Sequence, residues 1–274
     1  MSVGKALWWK GVALCLFVPV VGVAAPFPPP AWAPYIDMLI IEQRQTWPDH
    51  PAPTVLASLI ETESNWNPAA RRKTSTEEGA GLGQLTRTWR ADGAVRFDTL
   101  SDLTTKFPTL APLSWQNVYQ RPDLQIKAIV LMSKDCYQRM IVDPPSGFEN
   151  RLAFCTAAYN GGEAGVRQER QLCKITTECN PNAWFGHVEK TCMKSQAIVP
   201  GTKRTFCQVN RDHARSVMID KRAKYIPLFV VEEVIEDVVL EIVDVDTEQM
   251  ETTSSPPQSW YTRLWQWLFR VEAQ

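Results

Sequence analysis

Apolar residues recur at helical spacing along most of this chain. From Tyr35 to Trp47, positions Ile36, Leu39, Ile40 and Gln43 share one side of a helix. Pro53 opens a second helix with Val55, Leu56, Leu59, Ile60 and Glu63 along one side. Thr74 to Gly83 is rich in glycine and polar residues and reads as a loop. Beyond Pro122, the spacing of Ile126, Ile129, Val130 and Met132 predicts a helix from Leu124 to about Met140. Another is predicted from Phe148 to Tyr159, stopped by Gly161-Gly162, a pair that tolerates the left-handed backbone ending many helices. A last long helix is expected over Asn210 to Tyr225, closed by Pro227. No strand-like run occurs before Leu228, so residues 35–227 read as one all-α domain. Leu228 to Val245 alternates β-branched residues with acids and fits a strand or an acidic amphipathic helix equally.

The ends differ from this body. In residues 1–25, Lys5 and Lys10 precede the apolar run Gly11 to Val23, and Ala24-Ala25 offers small residues for cleavage. That is the form of an export signal, with an uncleaved anchor as the alternative. The run is short of the ~20 residues a full span needs. Leu14 is too bulky for a lipid-anchor site at Cys15. Residues 26–34 (PFPPPAWAP) form a proline-rich linker. Residues 228–274 are a C-terminal extension. It holds the acidic segment Glu232 to Glu251, the flexible Thr252 to Gln258 and the Trp-rich tail Trp260 to Val271. The tail's aromatics and spaced Arg263 and Arg270 suit a membrane surface, an envelope complex or docking on the domain itself.

Composition adds a compartment. Hydrophobic residues make up 45% of the 274 and charged residues 22%, enough to build a core. The net charge of −1 hides an uneven spread: Arg151 to Lys224 holds thirteen bases against six acids, whereas Glu232 to Glu251 holds nine acids and no base. The basic stretch favours an anionic polymer. Cys136, Cys155, Cys173, Cys179, Cys192 and Cys207 form an even set, read as disulfides in an exported chain, with the pairing open. No C-x-x-C occurs and His50, His187 and His213 are scattered, so no metal site or cofactor is expected.

Glu63 draws attention as a candidate acid. It ends an apolar helix on the side bearing Leu56, Leu59 and Ile60, which brings its carboxyl to the rim of the core. Glu61 lies roughly 200° round the helix and is expected to face solvent. Around Glu63 stands Glu63-Ser64-Asn65-Trp66-Asn67-Pro68, followed by Gly79-Ala80-Gly81-Leu82-Gly83-Gln84-Leu85 and then Ala157-Ala158-Tyr159-Asn160-Gly161-Gly162. Three such elements in order across about a hundred residues are far more specific than any one alone.

At these residues the chain resembles the catalytic domain of soluble lytic transglycosylases, in the compact form carried by phages or mobile elements. The resemblance covers roughly Tyr35 to Pro227. It implies a lysozyme-like, goose-type helical domain with a substrate groove, here stabilised by disulfides. It implies cleavage of peptidoglycan glycan strands in the periplasm or cell envelope, with no nucleic acid as partner. Glu63 would act as acid and then base, Gln84 would line the sugar groove, and Tyr159 would reach towards Glu63 or the sugar. Asn160 would shape the same wall, and Ser64 would orient Glu63 or bond the local backbone. The segment between Glu63 and Gln84 is longer than the family's usual spacing, so no serine or threonine among Thr74, Ser75 and Thr76 is assigned to substrate. Arg71 to Lys73 either meet stem-peptide carboxylates or form a solvated loop.

Three readings compete with the lyase. A lysozyme-type hydrolase would pair Glu63 with Glu77, Glu78, Asp92 or Asp98. A non-catalytic wall-binding or assembly protein would keep the groove alone, and a zinc-stabilised regulatory module would bind metal through the cysteines.

Overall fold

The structure, a computed structural model, describes residues 30–199 and 201–229. The export signal, the acidic segment from Glu232, the linker from Thr252 and the Trp-rich tail lie outside these residues.

Helix α1 (Ile36–Thr46) begins from a turn in which the Tyr35 and Ile36 amides donate to the Trp32 carbonyl. Residues 31–35 are thus turns, not an extended linker, and Trp32 packs on the core. Helix α2 (Thr54–Ser64) is buried at every position from Thr54 to Ile60. A helix apolar on nearly all sides belongs inside a core. It ends at Asn65 and Trp66, both in the left-handed region (φ 51° and 62°).

The chain then departs from the all-α expectation. Four short strands, β1 (Arg71–Lys73), β2 (Glu77–Ala80), β3 (Leu85–Trp89) and β4 (Val95–Asp98), form one antiparallel sheet in sequence order. The predicted loop Thr74 to Gly83 holds the β1–β2 turn and all of β2. The domain is helix-rich with a small sheet. The sheet is held by side chains that propensity does not record. Glu78 lies opposite Arg87 and is bonded by Arg87 (3.2 Å) and Arg71 (3.0 Å) from the strands on either side. Burial opposes the Glu78 charge, but these guanidinium bonds outweigh it and hold the carboxyl below its ordinary range. Asp92-Gly93 makes the β3–β4 turn, with Gly93 at φ 82°.

Helix α3 (Thr99–Lys106) is capped by Asp98, whose carboxylate accepts from the Ser101 amide at 3.0 Å. Helix α4 (Pro122–Arg139) is the spine. Its Ile126, Ile129 and Val130 face the helical core, while Leu124 and Ala128 face a second core beneath the sheet with Leu85, Leu100 and Leu110. Helices α5 (Gly147–Gly161) and α6 (Glu163–Lys174) follow. The predicted last helix is three pieces. Helix α7 (Phe206–Arg215) opens with a Thr205/Gln208 capping box and gives way to a π-helical turn (Ser216–Asp220) and a 3-10 turn (Arg222–Tyr225). Pro227 does not end the helical path, since residues 226–229 are helical. A proline in a first helical turn loses no intrahelical bond.

The six cysteines pair as Cys136–Cys155, Cys173–Cys179 and Cys192–Cys207, with Cα–Cα separations of 5.7, 5.2 and 6.0 Å. They join α4 to α5, close the end of α6 and tie the preceding loop to α7, which leaves none of these thiolates for zinc. Glu169, fully buried on α6, accepts from Arg211 Nη1 and the Met193 amide, both at 3.2 Å. Arg211 Nη2 lies 3.0 Å from Oε2 but is misaligned for a hydrogen bond, so the attraction there is purely ionic.

Replacing Glu169 with alanine should strand the Arg211 charge and cost about 3–5 kcal/mol, read from urea denaturation midpoints. Acid should also destabilise the fold. Burial, with Arg222 nearby, pushes the His50 imidazole from 6.5 down to about 3. Between those values the unfolded chain binds a proton that the folded chain refuses, so stability is complete above pH 6.5 and falls as pH drops towards 3. Glu78 adds a loss of the same sign at the acidic end of that window. His50→Gln should flatten the upper part of the decline in melting temperature between pH 7 and pH 4.

Candidate active site

Glu63 sits in the last turn of α2, where the helix leaves the core. What fixes that turn is Trp66, 2% exposed, whose indole donates to the Tyr225 hydroxyl at 2.7 Å. Tyr225 in turn donates to Glu61 (2.8 Å), and Lys224 pairs with the same carboxylate (2.6 Å). Glu61 therefore does not face open solvent as expected. The 3-10 turn lies across that side of α2 and uses the carboxylate as a structural anchor. The left-handed pair Asn65-Trp66 reverses the chain so that the indole turns back into the core.

The Glu63 carboxyl opens onto a cleft of about 850 Å³, whose wall also includes Gln84, Tyr159 and Asn160. Three sequence elements far apart in the chain thus meet at one cavity. A second cleft of about 490 Å³ adjoins it, since Gln84, Thr86, Tyr159 and Asn160 line both. Gln84, itself left-handed at φ 47°, donates to the carbonyls of Gly81 (3.0 Å) and Ala70 (3.2 Å), locking the turn between β2 and β3. Tyr159 donates to the Gly83 carbonyl at 2.7 Å, so its hydroxyl is directed at the sheet-side loop and not at Glu63. Burial, and after it the Glu63 charge, push the Tyr159 phenol well above its usual range, which keeps it a donor. Asn160 accepts from Asn210 at 3.1 Å, and Asn210, fully buried on α7, also donates to the Ala157 carbonyl.

Ser64 is not part of this wall. Its hydroxyl donates back to the Ile60 carbonyl at 3.1 Å, the local backbone bond that was one of its two expected roles. Of Arg71 to Lys73, only Arg72 lines the cleft, because Arg71 is drawn to Glu78. The carboxylates weighed as partners also separate. Glu78 is consumed by its two arginines, Asp92 accepts from the Ala94 amide in a turn, and Asp98 caps α3 and accepts from Trp115. Only Glu77 of the four lines the same cleft as Glu63.

The sequence reading missed the partner nearest to Glu63. His213 on α7 places Nε2 2.7 Å from Glu63 Oε1, and its ring lies parallel to that of Tyr159 with centroids 6.5 Å apart. It stands 150 residues from Glu63, and no local pattern links the two. Asp212, Lys194 and Arg204 also line the cleft, on α7 and the loop that Cys192–Cys207 ties down. Among the described residues no cluster of three or more metal-ligating side chains occurs.

The site can present the carboxyl groups of Glu63, Glu77 and Asp212, one imidazole and the side-chain amides of Gln84 and Asn160 to a polar ligand. No known protein-family model matches the chain, and a search of curated proteins finds no match.

Gly83, which lines the adjoining cleft, leaves no room for a side chain. A Cβ there would stand 2.6 Å from both the Tyr159 hydroxyl oxygen and an Ile129 side-chain carbon. Gly83→Ala should displace Tyr159 and lower stability by about 1–3 kcal/mol, the usual cost of overpacking. Thermal denaturation, with near-UV circular dichroism following the tyrosine, measures both effects.

Proposed function

We propose that this protein is a peptidoglycan lytic transglycosylase acting outside the cytoplasm. The observation that carries the reading is the convergence of Glu63, Gln84, Tyr159 and Asn160 on one cleft. These are the residues to which the resemblance assigns acid, groove and wall. Three disulfides support an oxidising compartment. Among the described residues no helix is long and apolar enough to cross a membrane, and the Trp-rich tail is the proposed contact with a membrane or envelope complex.

In this mechanism the Glu63 carboxyl gives its proton to the oxygen bridging N-acetylmuramic acid and N-acetylglucosamine. The C1–O bond breaks, and the acetamido oxygen of the muramic residue bonds to C1 and takes up the positive charge. Glu63, now a carboxylate, removes the proton from the C6 hydroxyl. That oxygen displaces the acetamido oxygen at C1 and closes a 1,6-anhydro ring. The proton gained equals the proton given, and no water enters. The side-chain amides of Gln84 and Asn160 in the cleft suit acetamido sugars, since an amide both donates and accepts.

A hydrolase reading has one observation in its favour, the presence of Glu77 and Asp212 in the same cleft. Either carboxylate would have to activate water opposite the acid. Digestion of purified sacculi followed by mass analysis of the fragments separates the two, because anhydro ends weigh one water less than reducing ends. Anhydro ends are the expected result, and a product set of reducing ends alone overturns the lyase. Glu63→Gln should lower the rate by about 10²–10⁴-fold while leaving binding to sacculi intact. An unchanged rate would overturn Glu63 as the acid, whereas an absence of fragments from the unaltered chain would favour a protein that binds the wall without cutting it.

A further inference from the structure

We infer that His213 is the positioning residue of Glu63: it fixes the carboxyl through one oxygen and directs the acid's proton to the other. This rests on Glu63 being the acid proposed above. The imidazole is 8% exposed, and its Nδ1 has no hydrogen-bond partner among the described residues. An imidazolium would bury a charged N–H facing nothing, and the Nδ1–H tautomer would bury a neutral one. Orphaned buried donors are rarer than orphaned acceptors. The remaining form is neutral imidazole with its hydrogen on Nε2, donating to Glu63 Oε1 across 2.7 Å.

That tautomer serves both halves of a reaction in which Glu63 first loses and then regains a proton. Nε2–H can donate to a carboxylate oxygen, and equally to the carbonyl oxygen of a neutral carboxyl. It cannot face a hydroxyl hydrogen on Oε1. The acid's proton is therefore confined to Oε2, which accepts no hydrogen bond from any described residue. The imidazole keeps its own hydrogen throughout, so no proton passes through it. It holds the orientation of Glu63 while the charge of the carboxyl changes.

The surrounding packing holds the imidazole in turn. Its ring lies against Tyr159, whose hydroxyl is tied to Gly83. One turn further along, Ser216 begins the π-helical turn and places its hydroxyl 3.2 Å from that of Thr62, beside Glu63. The wider π turn lets α7 stay in contact with the end of α2 at two successive positions. Such bulges recur at functional sites.

The test compares His213→Ala, His213→Gln and Glu63→Gln in the full chain. Rates are followed on soluble uncross-linked peptidoglycan strands, with melting temperatures in parallel. His213→Ala should lower kcat about 10–100-fold with KM within about twofold, the scale seen when an orienting partner is lost. His213→Gln, whose amide N–H can reach Oε1, should recover most of that loss. If alanine melts below assay temperature, His213→Leu replaces it, filling the volume without a donor. A kcat unaffected by Ala or Leu, or a glutamine variant no better than them, overturns the inference. Inactive Glu63→Gln beside a fully active His213→Ala sinks the positioning role alone, whereas active Glu63→Gln sinks the proposed function itself.

Discussion

One hydroxyl group ties the molecule together at its working end. Tyr225, fully buried, accepts from the Trp66 indole and donates to Glu61, so the 3-10 turn Arg222–Tyr225 is bonded to both sides of the end of α2. Burial holds the phenol protonated, pushed above the ordinary tyrosine range, and hydrogen bonds among groups withdrawn from water are costly to leave unmade. That anchor braces the left-handed reversal at Asn65-Trp66, while the Thr62–Ser216 and Glu63–His213 contacts hold the π-helical turn and α7 against α2. The position of Glu63 is thus set by residues more than 150 positions away, not by its own helix alone.

Four of the buried or half-buried glutamates divide by the partner each has acquired. Glu78 is held by two arginines, Glu169 by Arg211, and Glu61 by Lys224 with Tyr225. Those partners carry fixed positive charge; the Glu61 and Glu169 pairs join elements distant in sequence, whereas Glu78 joins neighbouring strands. Glu63 alone of the four meets an imidazole, which can stay neutral and bond a carboxyl in either charge state. The same residue type is therefore structural in three places and suited to proton transfer in one. Position on the chain does not decide this.

What the sequence made legible follows from where packing is one-sided and periodic. Helices α1, α2, α4 and α5 were readable because Leu39, Leu56, Ile129 and Phe154 belong to apolar rows that repeat at the helical period. The even cysteine set anticipated disulfides, though only the fold could pair them. The sheet was not readable. β1 is exposed throughout, β2 carries two glutamates and a glycine, and β4 alternates as Val95-Arg96-Phe97-Asp98 over only four residues and is nearly all exposed, so none carries a sustained buried face. Its cohesion comes from Glu78 and two arginines, which resemble an ordinary charge cluster until the strands are paired. Helix α6 escaped for a related reason: its buried row is Val166, Glu169 and Cys173, one of them a charged residue. Glu61 departs from the solvent-facing expectation because the 3-10 turn Arg222–Tyr225 covers that side of α2, a contact no local pattern announces.

The cleft itself depends on a relay that no single motif contains. Gly83 on the sheet side accepts from Tyr159 on α5, Tyr159 lies against His213 on α7, and His213 bonds Glu63 on α2. Each contact joins an element to one that its own sequence does not predict as a neighbour. The motif residues of the resemblance supply the two ends and the middle of this relay, while the histidine that closes it belongs to none of them. A chain that kept the three motifs and lost the closing contact would still form the wall of the cleft, since Gln84 and Tyr159 are held by backbone carbonyls. Its carboxyl, however, would be free to rotate. The cleft wall is thus a property of the motifs, and a fixed Glu63 carboxyl is a property of the whole fold.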